Sequence, residues 1–306
     1  MYDVAIIGGG PAGVAAGVYA SRKRLKTVFI TKDFGGQSAV SDEIQNWIGT
    51  EKISGAELAA NLKKHLEAYA GDVVAIKEGE MCQKIEKKGA AFVVSTNAAS
   101  YETRTILITA GSHRRKLDVP GADIFENKGI TYCASCDGPL FADQDVAIVG
   151  GGNAAFDSAA ELLAYCKSVT LINRSDEFRA DPGAVKKVLS NPKMHAILNA
   201  KLTEIFGGKF VKGLRYLDQE SKETKELAVT GIFAEIGSIP STEFLKGLVD
   251  LNQYGMVVTD PKTQKTSCEG IWAAGDVTDG LYHQNNIAAG DAVKALEDLY
   301  LHLHAK

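Results

Sequence analysis

The chain has few cysteines, no large excess of charge and no long apolar run. Its 306 residues contain five cysteines, an odd and low number that argues against a secreted disulfide scaffold. A net charge of −4 gives no reason to expect nucleic acid or an anionic membrane surface as a partner. No stretch of about 18 apolar residues occurs, so no segment is expected to span a membrane. These absences predict a soluble globular protein of the cytosol, where disulfides tend to be transient and catalytic.

Three of the cysteines stand alone in the sequence. Cys82, Cys166 and Cys268 lie in apolar or mixed surroundings. Because an isolated cysteine behaves mainly as a small hydrophobic residue, we expect all three to be unreactive structural thiols. The apolar start, Met1 to Ile7, lacks a basic leader and predicts a buried strand, not a signal peptide.

A short repeat organises the chain. The segment DVAIIGGG at 3–10 recurs as DVAIVGGG at 145–152. Each copy predicts an apolar strand, a glycine turn and an alanine-rich helix, and a second strand follows at Thr27–Thr31 and at Ser168–Asn173. This is the opening βαβ unit of a doubly wound α/β fold, present twice.

Further elements are predicted from apolar periodicity and from breaks at proline and glycine. We expect strands at 105–109, 231–236 and 270–274, and helices at 55–69, 182–189 and 287–302. Val119-Pro120-Gly121 and Ser238-Ile239-Pro240-Ser241 are the best candidates for connections between domains, because proline and glycine interrupt the strands there.

The first glycine turn has the dinucleotide-binding spacing Gly8-x-Gly10-x-x-Gly13. The first glycine permits the tight turn, the second lets a pyrophosphate approach the backbone, and the third allows close packing of helix on strand. The turn follows a strand and opens a helix, which is the context that the motif requires. It therefore predicts a dinucleotide site.

The second glycine turn, Gly150-x-Gly152-x-x-Ala155, has an alanine at the third position, which the motif allows. The alternative is a duplicated domain whose second site has decayed. The segment after the second strand, Asn173-Arg174-Ser175-Asp176-Glu177-Phe178-Arg179, falls where the adenosine ribose should lie. Its arginines suit the 2′-phosphate of NADPH, whereas its two acidic residues leave NADH open.

Cys133-x-x-Cys136 lies between the two turns and has the spacing of a redox dithiol, with Asp137 adjacent as an acid or base. Two alternatives are a zinc site and a pair of inert cysteines. Zinc needs four ligands, and no second pair of cysteines or histidines stands at a suitable spacing, so we expect no metal.

With these motifs together, the chain resembles the low-molecular-weight thioredoxin reductases and the reductase portion of the alkyl hydroperoxide reductase flavoprotein. The resemblance runs from residue 2 to about 302. Besides the paired glycine turns and Cys133-x-x-Cys136-Asp137-Gly138, it is carried by Gly35-Gly36-Gln37, Asn46-Trp47, Thr109-Ala110-Gly111, Ala274-Gly275-Asp276 and Gln284.

The resemblance implies two doubly wound, Rossmann-like dinucleotide-binding domains, one inserted into the other. Residues 1–116 and 244–306 would form a discontinuous FAD domain, and 117–243 an NAD(P)H domain that carries the dithiol. It assigns FAD to the first site, through Gly8, Gly10, Gly13, Gln37, Asn46, Ala110, Gly111, Asp276 and Gln284. It assigns NADPH to the second, through Gly150, Gly152, Asn153, Ala155, Arg174, Ser175 and Arg179. Cys133 and Cys136 would form the redox disulfide with Asp137 as acid/base, Cys136 meeting the flavin and Cys133 lying nearer the surface.

The chain departs from the family pattern at three places. The NADPH motif His-Arg-Arg-x-x-x-Arg here reads Asn173-Arg174-Ser175-x-x-x-Arg179. His283 replaces the usual arginine before Gln284, and the acidic pair after the second glycine turn is here Asp157-Ser158.

The resemblance implies an NADPH-dependent thioredoxin-disulfide reductase, acting on thioredoxin or another thioredoxin-fold protein and forming a homodimer. One alternative is the reductase of a peroxiredoxin system, with the extra dithiol domain of that flavoprotein replaced by a separate partner. Others are a family member using NADH or ferredoxin as donor, a ferredoxin–NADP reductase of related fold, and a nucleotide-binding redox sensor without turnover.

Overall fold

The computed structural model describes residues 1–41 and 43–304. The chain divides into two compact units, the first made of Met1–His113 and Ile239–Lys306 and the second of Arg114–Ser238. The predicted class, two doubly wound α/β units with one inserted into the other, is confirmed. The unit boundaries lie a few residues before the predicted ones at 116 and 243. The nucleotide assigned to each unit remains a prediction.

The first unit is a parallel sheet with helices and an added antiparallel hairpin. Its strands are β1 Tyr2–Ile7, β2 Thr27–Thr31, β3 Val74–Glu78, β4 Cys82–Lys88, β5 Ala91–Thr96 and β6 Ser100–Ile108. Its helices include α1 Pro11–Arg22 and α2 Gly55–Ala70. The order is β3-β2-β1-β6-β5-β4, and β5 is antiparallel to both of its neighbours, β6 and β4.

The remaining strand of this sheet comes from the second stretch of chain. It is β17, Ile271–Ala273, which pairs in parallel with the end of β6, and the helix α7 follows at Asn285–His304. One face of α7 is buried, since Ala292, Leu296 and Leu299 are fully enclosed and Leu303 packs against the same core. This second stretch of chain thus completes the sheet of the first unit.

The second unit repeats the doubly wound pattern. Its elements are α3 Ala122–Phe125, β8 Ile130–Thr131, α4 Ala134–Asp137, β9 Asp145–Val149, α5 Asn153–Leu162, β10 Ser168–Ile172, α6 Pro182–Leu189, β11 Met194–Ile197, β12 Ala200–Gly207, β13 Val211–Asp218, β14 Thr224–Leu227 and β15 Gly231–Ala234. The parallel sheet has the order β11-β10-β9-β15-β8, and β12-β13-β14 form a separate antiparallel sheet.

The chain passes between the units at two short strands, β7 (Ser112–Arg114) and β16 (Ser238–Pro240), which pair with each other. The second predicted connection, 238–241, coincides with this passage. The first, Val119–Gly121, was wrong: these residues lie inside the second unit. The Pro120 carbonyl there accepts a hydrogen bond from the Ile205 N–H at 2.9 Å, and a Cβ on Gly121 would sit 2.0 Å from the Ile205 oxygen. That contact fixes the segment in place.

Two kinds of feature are absent from the part of the chain that the structure describes. No helix there is long and apolar enough to cross a membrane. No group of three or more histidine, cysteine, aspartate or glutamate side chains there could hold a metal ion.

Candidate functional site: two glycine turns and a dithiol

The first glycine turn is packed so closely that two of its positions admit no side chain. Gly8 has a φ of +121°, in the region that favours glycine, and a Cβ there would lie 2.2 Å from the Thr109 carbonyl oxygen. A Cβ on Gly13 would lie 1.8 Å from the Gly8 oxygen. The start of α1 is therefore pressed directly onto the end of β1, as the motif predicts.

The N-terminus of α1 is open toward a ligand. Its N-cap is Gly10, with no side chain capping the helix. The atom nearest to a Cβ placed on Gly10 is the Cα of Gly36, 3.9 Å away, so two glycines face each other across this end of the helix. Uncapped N–H groups and the positive end of the helix dipole favour a phosphate here. The cradle therefore fits the pyrophosphate of a dinucleotide.

Four predicted FAD residues are gathered beside this turn. Gln37 lies in the 3-10 helix Gly36–Val40, and its amide nitrogen is 3.4 Å from the Asp276 carboxylate. The same nitrogen is 3.3 Å from the Ser112 hydroxyl. Gly111 has a φ of +65°, and a Cβ added to it would meet no atom within 4 Å, so the backbone at Ala110-Gly111 is approachable.

A second polar cluster joins the other predicted FAD residues at the start of α7. The Asn46 amide nitrogen donates to the Gln284 side-chain oxygen at 3.2 Å. The Asn286 amide donates to the Asn46 carbonyl at 2.7 Å, and the Ser38 hydroxyl donates to Asn285 at 2.8 Å. Sequence reasoning missed Ser38, Asn285 and Asn286. The paired asparagines after Gln284 were the available signal, since two amides opening a helix invite long-range contacts.

His283, which departs from the family pattern, belongs to the same segment. Its Nδ1 is 3.9 Å from the Asp276 carboxylate, and its Nε2 is 2.8 Å from the Gly280 carbonyl. The imidazole is therefore held within its own loop and next to a predicted FAD residue.

The second glycine turn is more open than the first. Gly150 has a φ of +151°, and a Cβ there would lie 2.3 Å from the Glu235 oxygen, so glycine is required. Gly152 is the N-cap of α5, with no capping side chain and no atom within 4 Å of a Cβ position. Ala155 is fully buried. The side-chain oxygen of Asn153 accepts the Asp181 N–H at 2.8 Å, so that oxygen fixes the entry to α6.

The predicted phosphate-binding segment is tied to this turn. The Arg179 N–H donates to the Gly151 carbonyl at 2.8 Å. Asn173 is buried, and its amide donates to the carbonyls of Ser175 and Glu177, so it shapes the loop. Arg174 and Arg179 are not buried, and no ion pair involves either guanidinium within residues 1–41 and 43–304. Both guanidinium groups are therefore available to an anionic ligand.

The dithiol lies in the second unit, at the short helix α4. Cys133 and Cys136 form a disulfide with their Cα atoms 5.3 Å apart, within the range that disulfides require. The Cys136 N–H lies 3.2 Å from the Cys133 sulfur. Cys136 is exposed and Cys133 half-buried, because Cys133 stands at the buried start of the helix, after the enclosed strand β8. That Cys136 meets the flavin and Cys133 lies nearer the surface remains a prediction about the flavin-bound protein.

Asp137 completes the dithiol turn. Its N–H donates to the Cys133 carbonyl at 3.0 Å, and its carboxylate accepts a hydrogen bond from the Thr131 hydroxyl. Burial raises the pKa of the Asp137 carboxyl, opposed by the Thr131 hydrogen bond and by the positive charge of Arg114. A carboxyl with a raised pKa next to a dithiol is suited to hold and release a proton.

These features match a known family. The model of the pyridine nucleotide-disulphide oxidoreductases matches residues 2–292. The chain belongs to this family, and it has the structure of a flavoprotein disulfide oxidoreductase of the thioredoxin reductase type. The family uses FAD and a nicotinamide cofactor.

The individual similarities cover the whole chain. The thioredoxin reductase from Streptococcus pyogenes MGAS5005 superposes with a TM-score of 0.92 and 35% identity, over 100% of this chain and 99% of that one. An alkyl hydroperoxide reductase component of Pseudomonas putida is 39% identical over 99% of this chain. The NADH dehydrogenase of Bacillus subtilis (strain 168) is 37% identical over 96%. The chain spans 58% and 57% of the lengths of these last two proteins.

Proposed function

We propose that the protein is an NADPH-dependent thioredoxin-disulfide reductase. The observation that carries the proposal is the Cys133–Cys136 disulfide, which lies in the same unit as the second glycine turn. A disulfide between residues three apart can open and close without large movement of the backbone that bears it. The glycine turn in that unit supports a nicotinamide nucleotide as the electron donor.

In the proposed reaction, electrons pass from the nicotinamide through FAD to the Cys133–Cys136 disulfide. FAD, when bound at the first glycine turn, supplies a two-electron carrier between the nicotinamide and the dithiol. Two electrons and two protons then break the Cys133–Cys136 bond and yield two thiols. The Asp137 carboxyl is the group that holds or releases one of these protons.

The exchange step returns the dithiol to its starting state. A thiolate of the reduced pair attacks one sulfur of the partner disulfide, and the other partner sulfur leaves as a thiol. The second cysteine then attacks the mixed disulfide, so the Cys133–Cys136 bond re-forms and the partner keeps both electrons. The exposed Cys136 side chain favours a protein substrate, since such a substrate must reach the sulfur from outside.

The choice of donor rests on Arg174 and Arg179. Both follow β10, neither is buried, and the backbone of Arg179 is fixed to the glycine turn. A 2′-phosphate would receive charge-assisted hydrogen bonds from guanidinium groups placed there. NADH is the second candidate, favoured by exposed Asp176 and Glu177 in the same segment and by the name NADH dehydrogenase of one relative.

The partner is proposed to be a thioredoxin or another thioredoxin-fold protein, as the name of the structural neighbour suggests. A separate dithiol protein of a peroxiredoxin system is the second candidate, because the Pseudomonas putida relative is part of an alkyl hydroperoxide reductase. A homodimer and a place in the cytosol remain predictions drawn from the family resemblance.

An anaerobic titration tests the donor. The purified protein should carry about one FAD per chain, and NADPH should bleach the flavin absorbance at lower concentration than NADH or reduced ferredoxin. A folded protein that binds no added FAD would overturn the proposal. Bleaching by reduced ferredoxin alone would show a different donor.

A turnover assay tests the acceptor. With NADPH present, oxidised thioredoxin should be reduced catalytically, with one dithiol formed for each NADPH oxidised. The matched acceptor is an isolated thioredoxin-fold domain from a peroxiredoxin system. Turnover with that domain alone would favour the second candidate, and NADPH oxidation without any dithiol product would overturn both.

A further inference from the structure

Glu235 is a charged residue at the second glycine turn that none of the sequence motifs includes. It directly follows β15, and its N–H donates to the Val149 carbonyl at the end of β9, at 2.9 Å. Its Cβ lies 3.3 Å from the place that a Cβ on Gly150 would occupy. The first glycine of the motif therefore makes room for the backbone and the start of the side chain of Glu235.

The strand order places this residue at the point where a ligand is expected. From β9 the sheet runs outward through β10 to β11 on one side, and through β15 to β8 on the other. In a doubly wound fold, ligands bind outside the carboxyl ends of the strands where the order reverses. That point is the crevice between β9 and β15. Glu235 lies on its β15 side.

The proposed function, on which this inference rests, puts the adenosine half of the dinucleotide on the other side. Arg174 and Arg179 follow β10, beyond β9 from Glu235. A dinucleotide whose pyrophosphate sits at Gly150–Gly152 and whose adenosine extends over β10 must extend its nicotinamide riboside over β15. Glu235 is the charged side chain at that strand end.

The side chain of Glu235 is held in a fixed position. The hydroxyl of Ser158, which is buried in α5, donates to Glu235 Oε1 at 2.7 Å. The other oxygen, Oε2, has no hydrogen-bond donor within residues 1–41 and 43–304. Where the family has a second acidic residue in this helix, this chain has Ser158, whose hydroxyl donates a hydrogen bond to the carboxylate at the end of β15.

The charges around Glu235 support an interaction with a ligand. Burial raises the pKa of the Glu235 carboxyl, and the negative charge of Asp157 acts in the same direction. The Ser158 hydrogen bond and the positive charge of Arg114 oppose it. A half-buried carboxylate with one oxygen unused is costly, unless a ligand supplies a donor or a positive charge.

We propose that the Glu235 carboxylate binds the nicotinamide riboside half of the dinucleotide and favours its oxidised, positively charged form over the reduced, neutral form. The free oxygen would accept a hydrogen bond from a ribose hydroxyl or from the carboxamide. The negative charge attracts the ring that has given up its hydride, because charges at close range interact strongly where water is partly excluded. Glu235 is thus a specificity-determining residue for the redox state of the nucleotide.

Calorimetric binding to the complete flavoprotein at mildly alkaline pH tests this. NADP⁺ and adenosine 2′,5′-bisphosphate are titrated into the oxidised protein, and NADPH into protein whose flavin has first been fully reduced with dithionite under anaerobic conditions, so that no hydride is transferred during the titration. In Glu235→Gln the amide oxygen keeps the bond from Ser158 while the charge is lost. The preference for NADP⁺ over NADPH should fall ~10-fold, as expected for loss of one charged contact. The bisphosphate, which has no nicotinamide half, should bind as to the wild-type protein.

Two further variants complete the design. Ser158→Ala keeps the Glu235 carboxylate but removes the hydroxyl that donates a hydrogen bond to it. The preference for NADP⁺ over NADPH should therefore fall by a smaller factor than in Glu235→Gln. Glu223→Gln removes an exposed charge elsewhere in the second unit and should change nothing. An unchanged preference in Glu235→Gln, or an equal loss for the bisphosphate, would overturn the inference. If both NADP⁺ and the bisphosphate fail to bind the wild-type protein, the proposed function itself fails.

Discussion

The two glycine turns begin with nearly the same residues but are built differently around them. In the first unit, nine of the twelve residues of α1 are buried, and the helix packs against both α2 and α7. In the second unit, five of the ten residues of α5 are buried, and its neighbours are the shorter helices α4 and α6. The third motif position is glycine in the first turn and alanine in the second, because only the first helix is pressed onto the preceding oxygen.

This difference is the one we expect between a site for a resident cofactor and a site for an exchanging cofactor. A turn enclosed by two long helices and by polar contacts from residues more than two hundred positions away is suited to hold its ligand through many cycles. A turn whose second glycine faces open space lets a nucleotide enter and leave. We therefore expect the first turn to release its ligand more slowly than the second.

The largest effect is expected at the dithiol, which only the second unit carries. Replacing Cys133 or Cys136 with serine removes the disulfide, so reduction of a protein disulfide should drop to the background rate. Reduction of the flavin by the nicotinamide should persist, because it precedes the thiols. Stopped-flow flavin absorbance and a steady-state assay measure the two halves, with Cys268→Ser as the control that keeps both. Loss of flavin reduction in a folded variant would show that the thiols are needed before the flavin is reduced, which contradicts the proposed order of electron transfer.

The second largest effect is expected from exchanging glycine and alanine at the third position of the two glycine motifs, Gly13 and Ala155. In Gly13→Ala the new Cβ meets the Gly8 oxygen at 1.8 Å, so backbone must shift. We expect FAD to be lost on purification and stability to fall by about 1–3 kcal/mol or more, as for an overpacked core. The matched change Ala155→Gly should cost only about 1 kcal/mol and leave FAD in place. The ratio of flavin to protein absorbance and the thermal midpoint measure both, and equal losses in the two variants would break the comparison.

A smaller effect is expected at the exchanging site. The double variant Arg174→Ala, Arg179→Ala should weaken NADPH by roughly tenfold or more for each arginine, since a hydrogen bond to a charged group contributes about 1.5–3 kcal/mol. NADH, without a 2′-phosphate, should bind nearly as before. The concentration of each nucleotide that gives half the maximal rate of flavin reduction yields the ratio, and Lys186→Ala with Lys187→Ala controls for positive charge in the same unit. Equal weakening of both nucleotides would show that the arginines do not read the phosphate.

The smallest effect concerns proton binding by Asp137. Because burial raises its pKa, the folded state binds the proton more tightly than the unfolded state, and stability falls as pH rises through the raised pKa. Asp137→Asn should therefore raise the thermal midpoint at neutral pH by more than at a pH near 3.8, the ordinary value for this group. An asparagine can still accept the Thr131 hydrogen bond. A midpoint difference that is the same at both pH values would mean that burial does not penalise the charge.

The doubly wound frame could be predicted because its signals are local. Apolar strands such as Thr27–Thr31 and helices such as Pro182–Leu189 stand in the structure at the predicted residues. The antiparallel strands could not be predicted as readily. In β4, only Ile85 is buried among exposed or half-buried neighbours, so the apolar pattern of a strand is missing. Tertiary pairing with β5, not local sequence, forms that strand.

The candidate site also contains some features that the sequence could predict and others that it could not. Its glycines were predictable, since a turn with positive φ at Gly8 and Gly150 excludes other residues. The contact of Gln37 with Asp276 was not, because it joins positions 239 apart and depends on how β17 and the loop after it complete the sheet. Glu235 escaped notice because its neighbour Ser158 lies on another element.

The cysteines outside the dithiol determine whether side reactions accompany the proposed reduction of a partner's disulfide. Burial raises the pKa of Cys82 to about 12 and that of Cys166 to about 11, so both remain protonated under physiological conditions. Only a thiolate attacks a disulfide, so we expect neither Cys82 nor Cys166 to compete with the dithiol in the proposed exchange reaction. At these two positions the protein is protected from side reactions. The same protection gives the experimenter a selective handle, because an alkylating reagent applied briefly after reduction should mark the dithiol well before it reaches Cys82 or Cys166.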